Sequence, residues 1–233
     1  MPRTETIIFR LSQTDMENRF ITNPKITEYI DGFYRPLTPG LGKLRDESEA
    51  AGIPVILRDT EKFLITMLTI IGPKRVLEIG TATGFSSSCF ACALGPDAEV
   101  VTIEKDRTMA ETARANIERL GYSATIDVVC GDACDEIVKL DGTFDFVFID
   151  AAKSHYLEFW NAAFEHVECG SVIVCDNILM RGSTASDEYD SSRRRHRTSI
   201  RRMRAFLESI TNDERCVTSL LASGDGISVS VVR

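Results

Sequence analysis

From residue 75 onward the hydrophobic positions fall into two textures. Short runs rich in Val, Ile and Phe occupy 76–80, 99–104, 126–131, 144–150 and 171–177, with little alternation between apolar and polar positions. Such runs predict strands covered on both faces. Longer stretches at 85–94, 107–120, 133–140, 154–167 and 190–210 carry apolar residues at helical spacing. Alternation of this kind predicts a parallel sheet layered by helices. Two last strands, near 216–222 and 226–232, are joined by Ser223-Gly224-Asp225-Gly226. That connection is too short for a parallel crossover, so a hairpin is expected, with an antiparallel final strand. Before residue 74 the pattern is helical at 24–34, 38–51 and 57–71, broken by Pro36, Pro39 and Pro54. The expected organisation is one α/β domain over 1–233, in which 1–73 form a helical cap and 74–233 the core.

The ends of the predicted strands carry the chemistry. The first runs Leu77-Glu78-Ile79-Gly80-Thr81-Ala82-Thr83-Gly84 into a helix. A small-residue turn there lets a ligand approach backbone amides. A dinucleotide fingerprint would need Gly at 82 and 85, where Ala82 and Phe85 stand. The looser turn, with Gly80 and Gly84, suits S-adenosylmethionine, which has no pyrophosphate; a purely structural tight turn is the competing reading. Glu104, at the second strand end, is placed to accept ribose hydroxyls, or else is only a charge at a helix start. Asp132 can bond an adenine amino group beside the small Ala133, and can equally cap a helix.

The fourth and fifth strands end in Asp150 and in Asp176-Asn177. Neighbouring strands stand about 4.8 Å apart, so these oxygens are expected to converge on one cation. Two carboxylates so close repel unless a cation or proton separates them. An all-oxygen set favours Mg²⁺ or another divalent cation. Lys153, three residues after Asp150, is either a base or charge stabiliser at the substrate hydroxyl or an exposed helix-start lysine.

Composition narrows the classes. A net charge of −8 argues against indiscriminate nucleic-acid binding. Seven cysteines, scattered through predicted strands and helices without a His-rich partner segment, fit buried reduced thiols better than zinc. No apolar run reaches the roughly 20 residues of a membrane span, and residues 1–10 lack the apolar stretch of a signal peptide. A cytoplasmic protein is expected. One basic patch stands out: Arg193, Arg194, Arg195, Arg197, Arg201, Arg202 and Arg204, with no acid among them. It is either a solvated helix face or a contact for phosphates.

These motifs, with Thr102-Ile103-Glu104, Gly131-Asp132-Ala133 and the run from Asp145 to Lys153, resemble the cation-dependent O-methyltransferase family of the catechol and caffeoyl-coenzyme A type. The resemblance implies a class I S-adenosylmethionine-dependent methyltransferase with a Rossmann-like sheet, and a homodimer. It implies cofactor contacts at Ile56, Gly80, Ser86, Glu104, Asp132, Ala133 and Asp150. Asp150, Asp176 and Asn177 would hold the metal, and Lys153 with Asp150 would stand at the reacting oxygen. Stretches such as Phe33-Tyr34-Arg35-Pro36-Leu37 and Arg195-His196-Arg197-Thr198 look most like the bacterial tRNA 5-hydroxyuridine methyltransferases. That likeness implies a tRNA anticodon stem-loop as partner, its wobble 5-hydroxyuridine becoming 5-methoxyuridine. A small catechol-like substrate is the alternative. A non-catalytic tRNA- or nucleotide-binding module is the rival of another class, and the Asp150, Asp176, Asn177 set argues against it. Thr83 stands where the resemblance expects an aliphatic residue, and Ser154 where it expects Gly.

Overall fold

The computed structural model describes residues 23–187 and 197–233. Three helices come first: α1 (Pro24–Asp31), α2 (Pro39–Ala50) and α3 (Arg58–Ile71). The α/β region then runs β1 (Arg75–Ile79), α4 (Phe85–Leu94), β2 (Glu99–Glu104), α5 (Arg107–Leu120), β3 (Ile126–Cys130), α6 (Ala133–Ile137) and β4 (Phe146–Ile149). A 3₁₀ turn (Lys153–His155) leads into α7 (Tyr156–Phe164) and β5 (Val172–Cys175). After them come α8 (Arg197–Thr211), β6 (Cys216–Leu221) and β7 (Ile227–Val232).

The strand order is β3-β2-β1-β4-β5-β7-β6. Strands β1 to β5 are mutually parallel, and β7 runs antiparallel to both β5 and β6. The hairpin reading holds, and β7 slots between its neighbours instead of lying at the edge. Because strand side chains alternate faces, the sheet divides its residues cleanly. Val76, Val100, Val128, Phe146, Phe148 and Val174 face the layer of α2, α3, α4 and α5. Leu77, Ile79, Val101, Ile103, Val147, Ile149 and Ile173 face α6, α7 and α8. Both faces are buried in β1, β4 and β5, which is why these strands read as nearly unbroken apolar runs, while the edge strand β3 leaves Asp127 and Cys130 exposed.

Several expected boundaries move. The strands at 144–150 and 171–177 lose their ends, because residues 150–152 and 176–182 turn away from the ladder to form the site. The stretch 133–140 stays helical only to Ile137, and 154–167 divides into the 3₁₀ turn and α7. Pro39 does not break a helix; it occupies the first turn of α2, where its missing N–H costs nothing, behind Thr38, whose hydroxyl accepts the Leu41 amide at 3.2 Å. The expected helix 24–34 ends at Asp31, and α1 buries no residue. Ile26, Tyr29 and Ile30 are exposed along it and Phe33 just after it, so of these three helices only α2 and α3 add buried residues to the layer over the sheet. The part of the helix placed at 190–196, with Arg193, Arg194 and Arg195, lies outside the described residues. All seven cysteines are free; Cys89, Cys175 and Cys216 are buried, but Cys130 and Cys169 are exposed, contrary to the expectation of buried thiols. Cys130 ends the edge strand β3 and Cys169 sits in a surface turn, so neither has a covering layer. Among the described residues no helix is long and apolar enough to cross a membrane.

Candidate active site

The residues expected to hold cofactor and metal or to act on the substrate line one cavity of about 900 Å³ at the carboxyl ends of the strands: Ile56, Gly80, Ser86, Glu104, Asp132, Ala133, Asp150, Lys153, Asp176 and Asn177. In an open α/β sheet this edge is where a ligand finds a crevice, at the point where strand order reverses between β1 and β4.

The turn after β1 depends on backbone crowding. Gly80 has φ 104°, and a Cβ there would collide with the Asp150 carbonyl oxygen. Ala82 adopts left-handed backbone (φ 47°), and its amide donates to Glu104 Oε2 at 2.9 Å. Glu104 Oε1 accepts the Asp106 amide, also at 2.9 Å. Glu104 therefore shapes the turn with one lone pair on each oxygen and has lone pairs to spare toward the cavity. Beneath the turn, Thr102 donates to Glu78 Oε2 at 2.5 Å, while the other Glu78 oxygen has no partner. Burial pushes the Glu78 carboxyl up to about 7, against the pull of neighbouring hydroxyls including Ser86.

At the β3 end, Asp132 caps α6 by accepting the Cys134 amide at 3.1 Å and pairs with Lys105 Nζ at 2.8 Å. Its pKa lies below the ordinary carboxylate value, chiefly through the Lys105 bond. The cap reading is thus realised, and Asp132 still faces the cavity beside buried Ala133.

The β4 and β5 ends differ in character. Ile149 and Cys175 are register partners, so Asp150 and Asp176 leave adjacent strands at the same level. Lys153 Nζ bonds Asp150 Oδ1 at 2.8 Å and the Tyr156 hydroxyl at 3.2 Å. Tyr156 in turn donates to the Asp176 carbonyl at 2.8 Å. Asp176 is 1% exposed; Oδ1 accepts the Asn177 amide at 2.6 Å, and Oδ2 has no partner. Burial first, then the charge of Asp150, push the Asp176 carboxyl up to about 8. Asn177 has φ 55°, a left-handed conformation that Asn tolerates better than most side chains. An orphaned carboxylate oxygen beside a second carboxylate and an amide is a donor set that a hard, oxygen-seeking cation fits.

Sequence reasoning missed several lining residues: Leu57, His155, Phe159, Arg181, Gly224 and Asp225. Asp225-Gly226 was visible only as turn chemistry. The two departures from the family pattern have local explanations. Thr83 is buried and its hydroxyl takes a bond from Ser48 of α2 at 3.0 Å, while its carbonyl accepts from Asn116 at 3.0 Å. The Ser154 carbonyl accepts from Arg202 at 2.9 Å. Arg204 bonds the carbonyls of Thr184 and Ser183 and pairs with Asp187. Within the basic patch, Arg197, Arg201, Arg202 and Arg204 are all exposed, and Arg202 and Arg204 also bond loop carbonyls.

Known proteins resemble this chain in sequence and fold. A family model described as O-methyltransferase matches residues 41–232. The catechol O-methyltransferase of Mycobacterium tuberculosis is 36% identical over 171 residues, covering 72% of this chain and 78% of the relative. Caffeoyl-CoA O-methyltransferase 1 of Arabidopsis thaliana is 32% identical over 181 residues, covering 73% and 68%. The crystal structure of an O-methyltransferase from Bacillus cereus in complex with SAH superimposes with a TM-score of 0.78 at 28% identity, covering 90% of this chain and 97% of that one. The sheet order with its single reversed strand, the cavity at the β1/β4 switch and these matches agree: this chain belongs to the O-methyltransferase family and is an S-adenosylmethionine-dependent O-methyltransferase.

Proposed function

We propose that the protein methylates one of two adjacent oxygens on a small catechol-like substrate, with a divalent cation, Mg²⁺ foremost, held by Asp150, Asp176 and Asn177. The observation that carries this reading is Asp176, nearly sealed from solvent with one carboxylate oxygen orphaned beside Asp150. When bound, the cofactor supplies an electrophilic sulfonium methyl, and the cation supplies Lewis acidity for a vicinal oxygen pair.

The chain's own residues then do the following. Glu104 offers its free lone pairs to the ribose hydroxyls while fixing the turn at Ala82. Asp132 and Ala133 take the adenine edge and face, and Gly80, Ser86 and Ile56 line the remainder. Lys153, anchored between Asp150 and Tyr156, keeps a positive charge where the acceptor hydroxyl must lose its proton. Holding acceptor and methyl donor in line contributes most, because positioning can lower a barrier by roughly 7–11 kcal/mol. The M. tuberculosis relative bears the catechol name, and Arg202 and Arg204 are engaged within the fold; both favour a small substrate.

A second reading, 5-hydroxyuridine at the tRNA wobble position, also presents adjacent oxygens. It draws support from exposed Arg197 and Arg201 on α8. One experiment separates the two. Purified protein, labelled S-adenosylmethionine and Mg²⁺ are offered a dihydroxyphenol or tRNA carrying 5-hydroxyuridine, each with and without chelator. Chelator-sensitive methylation of the phenol alone is expected. Methylation of tRNA alone would reverse the order of the readings, and full activity in chelator would defeat the metal set.

A further inference from the structure

The β6–β7 hairpin reaches the cavity wall, and methyl transfer as set out above gives it no task. Beside it, the run from Asn177 to Arg181 holds three non-glycine residues in left-handed backbone, Asn177 (φ 55°), Met180 (φ 47°) and Arg181 (φ 55°). Such conformations are costly for residues bearing a Cβ and persist where the surroundings impose them.

The hairpin is what imposes them. The Ile178 amide donates to the Gly226 carbonyl at 3.0 Å and the Leu179 amide to the Asp225 carbonyl at 2.9 Å. The Arg181 amide donates to Asp225 Oδ1. A Cβ on Gly226 would collide with Leu179, so the two segments lie flush. The hairpin itself is moored to the start of α3. Asp59 Oδ2 accepts the Gly224 amide at 2.7 Å and the Ser223 hydroxyl at 3.0 Å, while Oδ1 accepts the Thr60 amide at 2.9 Å. Asp59 lies outside the cavity lining, and Asp225 within it.

We propose that Asp225 and Asp59 are positioning residues in series: Asp225 holds the left-handed loop that presents Asn177 and Arg181 to the cavity, and Asp59 holds the hairpin that carries Asp225. What Asn177 does once presented rests on the metal reading above; the brace itself does not. The bond that matters is an accepted amide hydrogen, so an asparagine at 225 can serve and an alanine cannot.

The loop carries its own reporter, since exposed Arg181 is a trypsin site whose cleavage requires the loop to leave its seat. The experiment follows limited trypsin cleavage after Arg181 in the full chain, by mass spectrometry. Asp225→Ala should be cut roughly tenfold faster than wild type, as expected for losing a bond to a charged acceptor. Asp225→Asn should stay within about twofold of wild type, because its side-chain oxygen keeps the acceptor role. Asp59→Ala should be cut faster than wild type and slower than Asp225→Ala, and the double variant no faster than Asp225→Ala alone. Calorimetric binding of S-adenosylhomocysteine at wild-type strength would show that the opposite end of the cavity is intact in each variant. In the transfer assay, Asp225→Ala should lower kcat with the cofactor KM unchanged, and Asp225→Asn should restore it. Wild-type cleavage of Asp225→Ala, or fully additive effects in the double variant, would overturn the proposal. Should Asp225→Ala fail to fold, Asp59→Ala decides it: faster cleavage supports the brace, and an unchanged rate overturns it. A wild-type protein that methylates nothing would sink the transfer reading and leave the proteolysis result standing.

Discussion

The two ends of the cavity are built on different principles. The cofactor end is made of strand termini whose acids already serve the backbone close to them: Glu104 accepts the amide two residues on, and Asp132 caps its own helix. The reaction end holds a buried carboxylate with one oxygen unpartnered, a lysine pinned between two side chains and a loop in left-handed backbone. One end is satisfied as it stands, and the other keeps a buried oxygen without a partner. A site that must bind a nucleoside and also activate an oxygen divides the labour in this way: shape comes from satisfied groups, reactivity from unsatisfied ones.

The largest effect should come from the reaction end. Asp176→Ala is expected to lower kcat by roughly a thousandfold, since the cation proposed for this end would supply a Lewis-acid contribution worth several kcal/mol. Calorimetry should find S-adenosylhomocysteine binding unchanged; a parallel loss of cofactor affinity would mean the two ends are not separable.

Next in size is a pH effect under the cofactor turn. Burial raises the Glu78 carboxyl to about 7 in the folded protein, above its ordinary value of 4.5. The folded state therefore holds a proton that the unfolded chain releases, so stability falls as pH rises between those values. The loss is of order 3 kcal/mol by its upper end. Glu78→Gln, which keeps an acceptor for Thr102, should flatten the decline in melting temperature between pH 5 and pH 7.5, about half a unit above each of those two values. An unchanged slope would show that Glu78 is not the group responsible.

Glu104→Ala should weaken S-adenosylhomocysteine binding by roughly 10- to 100-fold, the equivalent of losing bonds to a charged acceptor. An equal fall in kcat at saturating cofactor would blur the division between the two ends. The smallest effect belongs to the hydroxyl pair beneath the turn. Thr83→Val should cost about 1 kcal/mol in denaturant unfolding by stranding Ser48, and a neutral result would mean that Ser48 is satisfied by the Leu44 carbonyl alone.

The same contrast explains what could be read from residues alone. Strand and helix order were legible because doubly covered strands and amphipathic helices leave different textures. The site acids were legible because each ends a strand, and β4 and β5 prove to be neighbours. Boundaries at Asp150 and Asp176 were misplaced because those residues leave the ladder while their neighbours stay apolar. Asp225 was seen only as a turn residue, since the amide it accepts lies 44 positions away. Nothing local announces such a partner. The same holds for Arg202 and Arg204, whose charge suggested a free basic face although their carbonyl partners lie 48 and 20 positions back.

Trp160, the chain's sole tryptophan, lies four residues after Tyr156 on α7, packed against Phe206 with ring centroids 6.0 Å apart. Nature has thereby placed a single fluorophore one helical turn from the hydroxyl that touches both Lys153 and Asp176. Its emission offers an unlabelled optical signal from the reactive half of the molecule, undiluted by any other indole.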